Sequence, residues 1–132
     1  MELIRPYRGE RFFEIEVCGL RRKLPIVQVG EGVWIASNAE LVFGDVEFIS
    51  TVSEELAKRA SRYKPEVLVT PEAKALALAY ALSKSLGHSR YVVARKSVKA
   101  YMGEVIVEEV KSITTKEPQI LVLTKDDAEK VT

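Results

Sequence analysis

One cysteine, one histidine and one tryptophan are spread over 132 residues. Cys18, standing alone, excludes an internal disulfide framework and a cysteine-rich metal centre, and makes a reducing cytoplasm the natural home. His88 has no second histidine or acid at ligand spacing, so it reads as a surface or cap residue following Gly87. An excess of charge is also missing: 20 Lys and Arg against 19 Asp and Glu leave a formal net charge of +1. That balance gives no general reason to expect nucleic acid or an anionic membrane as a partner. No apolar run approaches the roughly 20 residues of a membrane span. The start Met1-Glu2-Leu3-Ile4-Arg5 lacks the pattern of a signal peptide. Side-chain amides are scarce, with Asn38, Gln28 and Gln119 the whole set, which leans towards a heat-adapted source. Repeats, linkers and low-complexity stretches are absent. What is present, 47% hydrophobic and 30% charged residues, is the make-up of one globular domain with a real core.

The richest stretch runs from Glu66 to Leu86. Val67, Leu68 and Val69 form a short apolar run after Pro65, suited to a strand buried on both faces. Thr70 offers a hydroxyl N-cap, Pro71 fits a first helical position, and Glu72 complements the dipole of a first turn. Ala75 to Leu86 is apolar or small almost throughout, so a helix covered on most sides is expected there, stopped by Gly87. A buried strand turning sharply into a helix is half of a βαβ unit, and its free backbone N–H groups make an anion site. The same residues also fit a well-capped helix that binds nothing, which is the commoner outcome.

Before this stretch, Phe13, Ile15 and Val17 alternate with Glu14, Glu16 and Cys18, the period of a half-buried strand. Gly19 to Lys23 is expected to turn, and Leu24 to Val29 to form a second strand with Pro25 at its start. Gly30-Glu31-Gly32 turns again into Val33 to Ala36, giving a small antiparallel N-terminal lobe over residues 1–44. Arg21-Arg22-Lys23 is expected at a hairpin tip, as solvated charge. Asp45 caps a helix whose Ile49, Val52, Leu56, Ala60 and Tyr63 make one buried stripe, with Pro65 ending it.

Beyond Gly87, Tyr91 to Ala94 completes strand–helix–strand, and the right-handed crossover rule makes the two strands parallel. Arg95-Lys96 then falls at the same sheet edge as Thr70 to Lys74, where open α/β sheets collect ligands. Ser97 to Glu104 has no consistent period and reads as a loop. Val105 to Thr115 and Gln119 to Leu123 form a β-hairpin able to swing over that edge, and Thr124 with Asp127 starts a last helix.

Glu72-Ala73-Lys74 after a short buried strand resembles the diphosphate-binding loop of type I phosphoribosyltransferases of the purine kind. Ala94-Arg95-Lys96, the loop with Lys99 and Tyr101, and Val110-Lys111-Ser112-Ile113-Thr114 look like the flexible-loop segment of the adenine and xanthine enzymes. The likeness covers residues 65–130. It implies an α/β fold with a parallel-sheet core over 45–132, single-domain with the N-terminal lobe, and a flexible β-hairpin. It implies transfer of ribose 5-phosphate from phosphoribosyl diphosphate to a purine base, with Glu72, Ala73, Lys74, Arg95, Lys96 and Lys99 around the diphosphate and Tyr101 as a possible lid. Mg²⁺ would arrive with the diphosphate, and a homodimer is the family habit.

One part of the family pattern is missing. An apolar strand ending in two adjacent acids and a Thr/Gly-rich turn grips the ribose 5-phosphate in these enzymes. Asp126-Asp127 does not end such a strand and is followed by Ala128-Glu129-Lys130, so it reads as the acidic first turn of a helix. The resemblance therefore implies a phosphoribosyltransferase cut short: either inactive until the missing part is supplied, or a non-catalytic module that binds nucleotide or phosphoribosyl diphosphate.

Overall fold

Residues 4–111 and 117–131 are described by the structure, a computed structural model. The alternation after Arg11 produces β1 (Phe12–Val17), which exposes every second residue and pairs antiparallel with β2 (Leu20–Gly30). The turn between them is shorter than the sequence suggests. Cys18 (φ 52°) and Gly19 (φ 78°) both lie in the left-handed region, the two-residue hairpin whose twist matches the strands. Arg21, Arg22 and Lys23 therefore stand inside β2 and not at a tip, opposite Glu16, Ile15 and Glu14 in the register. Arg21 Nε meets Glu16 across the strands at 3.1 Å, a cross-strand pair of opposite charge. β3 (Val33–Ala36) closes this sheet in the order β1-β2-β3. The Tyr7 ring stacks on Trp34 with centroids 4.4 Å apart.

A short helix, α1 (Glu40–Phe43), follows, and then α2 (Val46–Ser61). Asp45 caps α2 as its position predicts, accepting from the Phe48 N–H at 2.9 Å. The buried side chains of α2 are Phe48, Ile49, Ser53 and Ala57; Ile49, Ser53 and Ala57 follow at four-residue steps, while Val52, Leu56 and Ala60 of the expected stripe are only partly covered. Tyr63 does not join that row: the helix ends at Ser61, and Tyr63 is 71% exposed. The lobe and the helix meet through Arg22, whose Nε donates to Asp45 Oδ2 at 2.6 Å and whose Nη2 donates to Glu47 at 2.8 Å. Hydrogen bonds from Arg22 and then from the Phe48 N–H hold the Asp45 carboxyl below the usual carboxylate range.

A carboxyl with a lowered folded pKa stabilises the fold above its unfolded value and loses that contribution as the pH falls through the folded value. Asp45→Ala, which removes cap and ion pair together, is expected to lower the melting temperature by roughly 3–6 °C at pH 7. Asp45→Asn keeps a capping oxygen, so its deficit should be smaller at pH 7 and should shrink further below about pH 4. A deficit that is the same at pH 7 and pH 3 would show that Arg22 contributes nothing through charge.

The second half of the chain is the strand–helix–strand unit. β4 (Val69–Pro71) runs parallel to β5 (Val92–Ala94), in the register Val69↔Val92, Thr70↔Val93, Pro71↔Ala94. Thr70 and Pro71 do not open the helix. They belong to β4, and α3 (Leu76–Ser85) begins five residues after Pro71 with no side-chain cap. α3 stops as Gly87 implies: at φ 78°, the Gly87 N–H reaches Lys84 O at 3.1 Å and the His88 N–H reaches Ser83 O at 2.9 Å, the paired bonds of a Schellman cap. The His88 ring adds a tie, its Nε2 donating to Pro65 O at 2.8 Å. α3 is less enclosed than its composition suggests, with Tyr80 61% exposed.

β6 (Val105–Val110) and β7 (Gln119–Thr124) form the expected antiparallel hairpin. Ser112, Ile113 and Thr114 fall outside the described residues. β7 is tied to the end of β5, because Arg95 and Val122 exchange both backbone bonds at 2.8 Å. Val92 and Val122 are fully covered. α4 (Lys125–Glu129) starts at Thr124, whose hydroxyl accepts from the Asp127 N–H at 3.2 Å. The described residues form a mixed α/β fold with four helices, two antiparallel pairings in the N-terminal sheet, one parallel pair and one hairpin. Among the described residues no helix is long and apolar enough to cross a membrane.

Candidate functional site

The C-terminal ends of β4 and β5 place two short segments side by side. From β4 the chain enters a turn over 72–75, and from β5 it enters Arg95-Lys96. The pairing continues one step past Pro71, with the Glu72 N–H donating to Ala94 O at 3.0 Å. The Glu72–Ala73 peptide is cis. The turn closes when the Leu76 N–H reaches Ala73 O at 3.2 Å. No backbone acceptor among the described residues is paired with the N–H groups of Ala73, Lys74 or Ala75.

Glu72 is the centre of this arrangement. One carboxylate oxygen accepts from the Lys96 backbone N–H at 2.9 Å. The other accepts from Arg95 Nε in a close ion pair. The Lys96 N–H, then Arg95 and then Lys99, hold the Glu72 carboxyl below the usual carboxylate range. Arg95 also reaches the Tyr101 hydroxyl through Nη1 at 3.4 Å. Sequence reasoning put Glu72 in the dipole field of a first helical turn; the structure instead spends it on the neighbouring strand end.

The other expected residues divide clearly. Lys74, Lys96 and Lys99 are exposed, and none forms an ion pair with another described residue. Ala73 is exposed in the turn, with only a methyl group beside the backbone. Tyr101 is 76% exposed and lies against Arg95. Lys99 also shapes the loop, since its carbonyl accepts from the Met102 N–H at 3.0 Å.

On the far side of Arg95 lies a cleft of about 780 Å³, walled by Arg95, Tyr101 and Glu104 and by Lys125, Asp126 and Asp127 at the start of α4. Sequence reasoning missed Glu104 and Lys125 as wall residues. Only their strand-end positions hinted at it, and they pair with each other at 2.9 Å. Asp127 is committed, receiving Arg90 at 2.7 Å and Lys130 at 3.0 Å. Asp126-Asp127 thus stands in the first turn of α4, as its context implies, and not at a strand end. Among the described residues no three His, Cys, Asp or Glu side chains are gathered to hold a metal ion. The edge offers, among the described residues, backbone donors with no backbone partner, three ammonium groups outside any ion pair and the Glu72-held guanidinium of Arg95, the donor set for a polyanion. No protein-family model matches the chain, and no curated protein matches it.

Proposed function

We propose that this is a purine phosphoribosyltransferase-like protein whose turn over 72–75 and Arg95-Lys96 receive the diphosphate of phosphoribosyl diphosphate. The observation that carries the reading is the juxtaposition of those two segments on one edge of a parallel pair, with Lys74, Lys96 and Lys99 uncommitted around it. Ligands of open α/β sheets sit beyond the carboxyl ends of the strands. A diphosphate there would meet backbone N–H groups of the turn, the Lys74 ammonium and the Arg95 guanidinium, which suits bidentate contact. In a transferase these groups neutralise the leaving diphosphate while the site excludes water from the oxocarbenium-like centre. Mg²⁺ enters as part of the substrate, bound to the diphosphate and several waters.

One observation favours the non-catalytic variant of this reading. Asp127 is engaged by Arg90 and Lys130, so the Asp126-Asp127 pair is not free to hold ribose hydroxyls. On this reading these residues make a binding module.

Lys74→Ala tests the reading. Removing one charge-assisted hydrogen bond is expected to weaken Mg²⁺–diphosphate binding by about 1–3 kcal/mol in titration calorimetry. Unchanged affinity would remove Lys74 from the site, and no binding by the parent chain would end the diphosphate reading altogether.

A further inference from the structure

The diphosphate reading leaves a conflict at its centre, and the inference drawn from that conflict rests on that reading. The two donors best placed for a phosphoryl oxygen, Arg95 Nε and the Lys96 N–H, already serve the Glu72 carboxylate. Each carries a single proton and can satisfy one good acceptor at a time. A diphosphate beside Arg95 would also face the Glu72 charge directly, a like-charge contact that weakens binding. Carboxylate and phosphate cannot both occupy this seat.

We propose that Glu72 is the resident anion of the site: its carboxylate fills the seat made by Arg95 and the Lys96 N–H, and an arriving phosphoryl group displaces it. The geometry makes displacement cheap. The Glu72 side chain keeps 24% of its surface in water and that of Arg95 keeps 31%, so the freed carboxylate moves into solvent and not into the core. The turn that carries Glu72 stays anchored without the side chain, through its backbone bond to Ala94 O. The resident carboxylate has two effects. It holds Arg95 and the turn in register while the site is empty, and it sets a threshold: a multiply charged phosphate outcompetes it, whereas a singly charged anion such as chloride or acetate does not. The site is selective by prior occupation.

The alternative is that Glu72 is a fixed strut, whose only work is to hold the turn against β5. Glu72→Gln separates the two. The amide keeps an oxygen for the Lys96 N–H but gives up the charge on Arg95. A resident anion predicts Mg²⁺–diphosphate affinity about tenfold higher in E72Q than in the parent chain, and a new sensitivity of binding to acetate. A strut predicts equal or weaker affinity, which would overturn the proposal while leaving the diphosphate reading intact. Absence of diphosphate binding in both proteins would overturn both. A second measurement covers the case of a misfolded variant. In the parent chain, added diphosphate should shift the Arg95 Nε–H, the Lys96 N–H and the Glu72 carboxyl carbon in magnetic resonance spectra at one common midpoint. Shifts confined to the amides of Ala73 and Lys74 would overturn the displacement.

Discussion

Val122→Asp is expected to cost about 3–5 kcal/mol of stability and to release the hairpin from the rest of the fold. Val122 is fully covered, and its backbone exchanges both hydrogen bonds with Arg95. The register sets Arg95 opposite, but its side chain already serves Glu72 and Tyr101, so a carboxylate there must compete for it, be buried unpaired or pull β7 away from β5. Val122→Ala, which only empties space, should cost about 1–3 kcal/mol. The difference between the two variants isolates the charge. The consequence for the site follows from the same bonds: when β7 leaves, Arg95 loses the strand that fixes its backbone. Urea unfolding gives the stabilities, and hydrogen exchange at Arg95 and Val122 gives the release. A cost below about 1 kcal/mol for Val122→Asp would mean that the hairpin is not docked through this residue.

The places where sequence pattern succeeded and failed have different physics. The alternation of Phe13, Ile15 and Val17, the Asp45 cap and the Gly87 stop are local, and each needs only neighbours within four residues. The parallel relation of β4 and β5 was legible through the handedness of crossovers, which is a topological rule. Thr70-Pro71 failed because two local rules compete there. The pair fits a helix start as well as a strand end, and the choice was made by Val93 and Ala94, which lie more than 20 residues away and bind the segment as a strand. Arg22 failed for the same kind of reason, since Asp45 and Glu47 come within reach only after β2 and α2 are both in place. At the candidate site the residue set was legible as a cluster at one strand edge. Its internal pairing was not, because a carboxylate and a guanidinium 23 positions apart leave no periodic signal.

Purified residues 1–132 are expected to release no diphosphate from phosphoribosyl diphosphate with any purine base, and to self-associate. The first expectation follows from the proposed binding-module reading: Asp126-Asp127 lies in α4, half of it paired with Arg90 and Lys130, so that pair is not free to grip a ribose 5-phosphate. The second follows from open sheet edges. Among the described residues β4 pairs only with β5, and Val69 in β4 is 46% exposed. β3 carries no charge along Val33–Ala36 and leaves Val33 and Ile35 52% and 43% exposed; β6 likewise exposes Ile106 at 55%. β3 and β4 are edges with apolar side chains and no charged guards, and such edges seek another strand, whereas β6 carries the exposed Glu108 and Glu109. Lys placed at Val69 or Ile35 should therefore shift the assembly towards monomer, with the larger shift marking the edge that is used. Size measurement by sedimentation and a coupled diphosphate-release assay decide both points on one preparation. A monomer with turnover would mean that the ribose 5-phosphate is held by residues other than an acidic pair, and that the open edges are satisfied within a single chain.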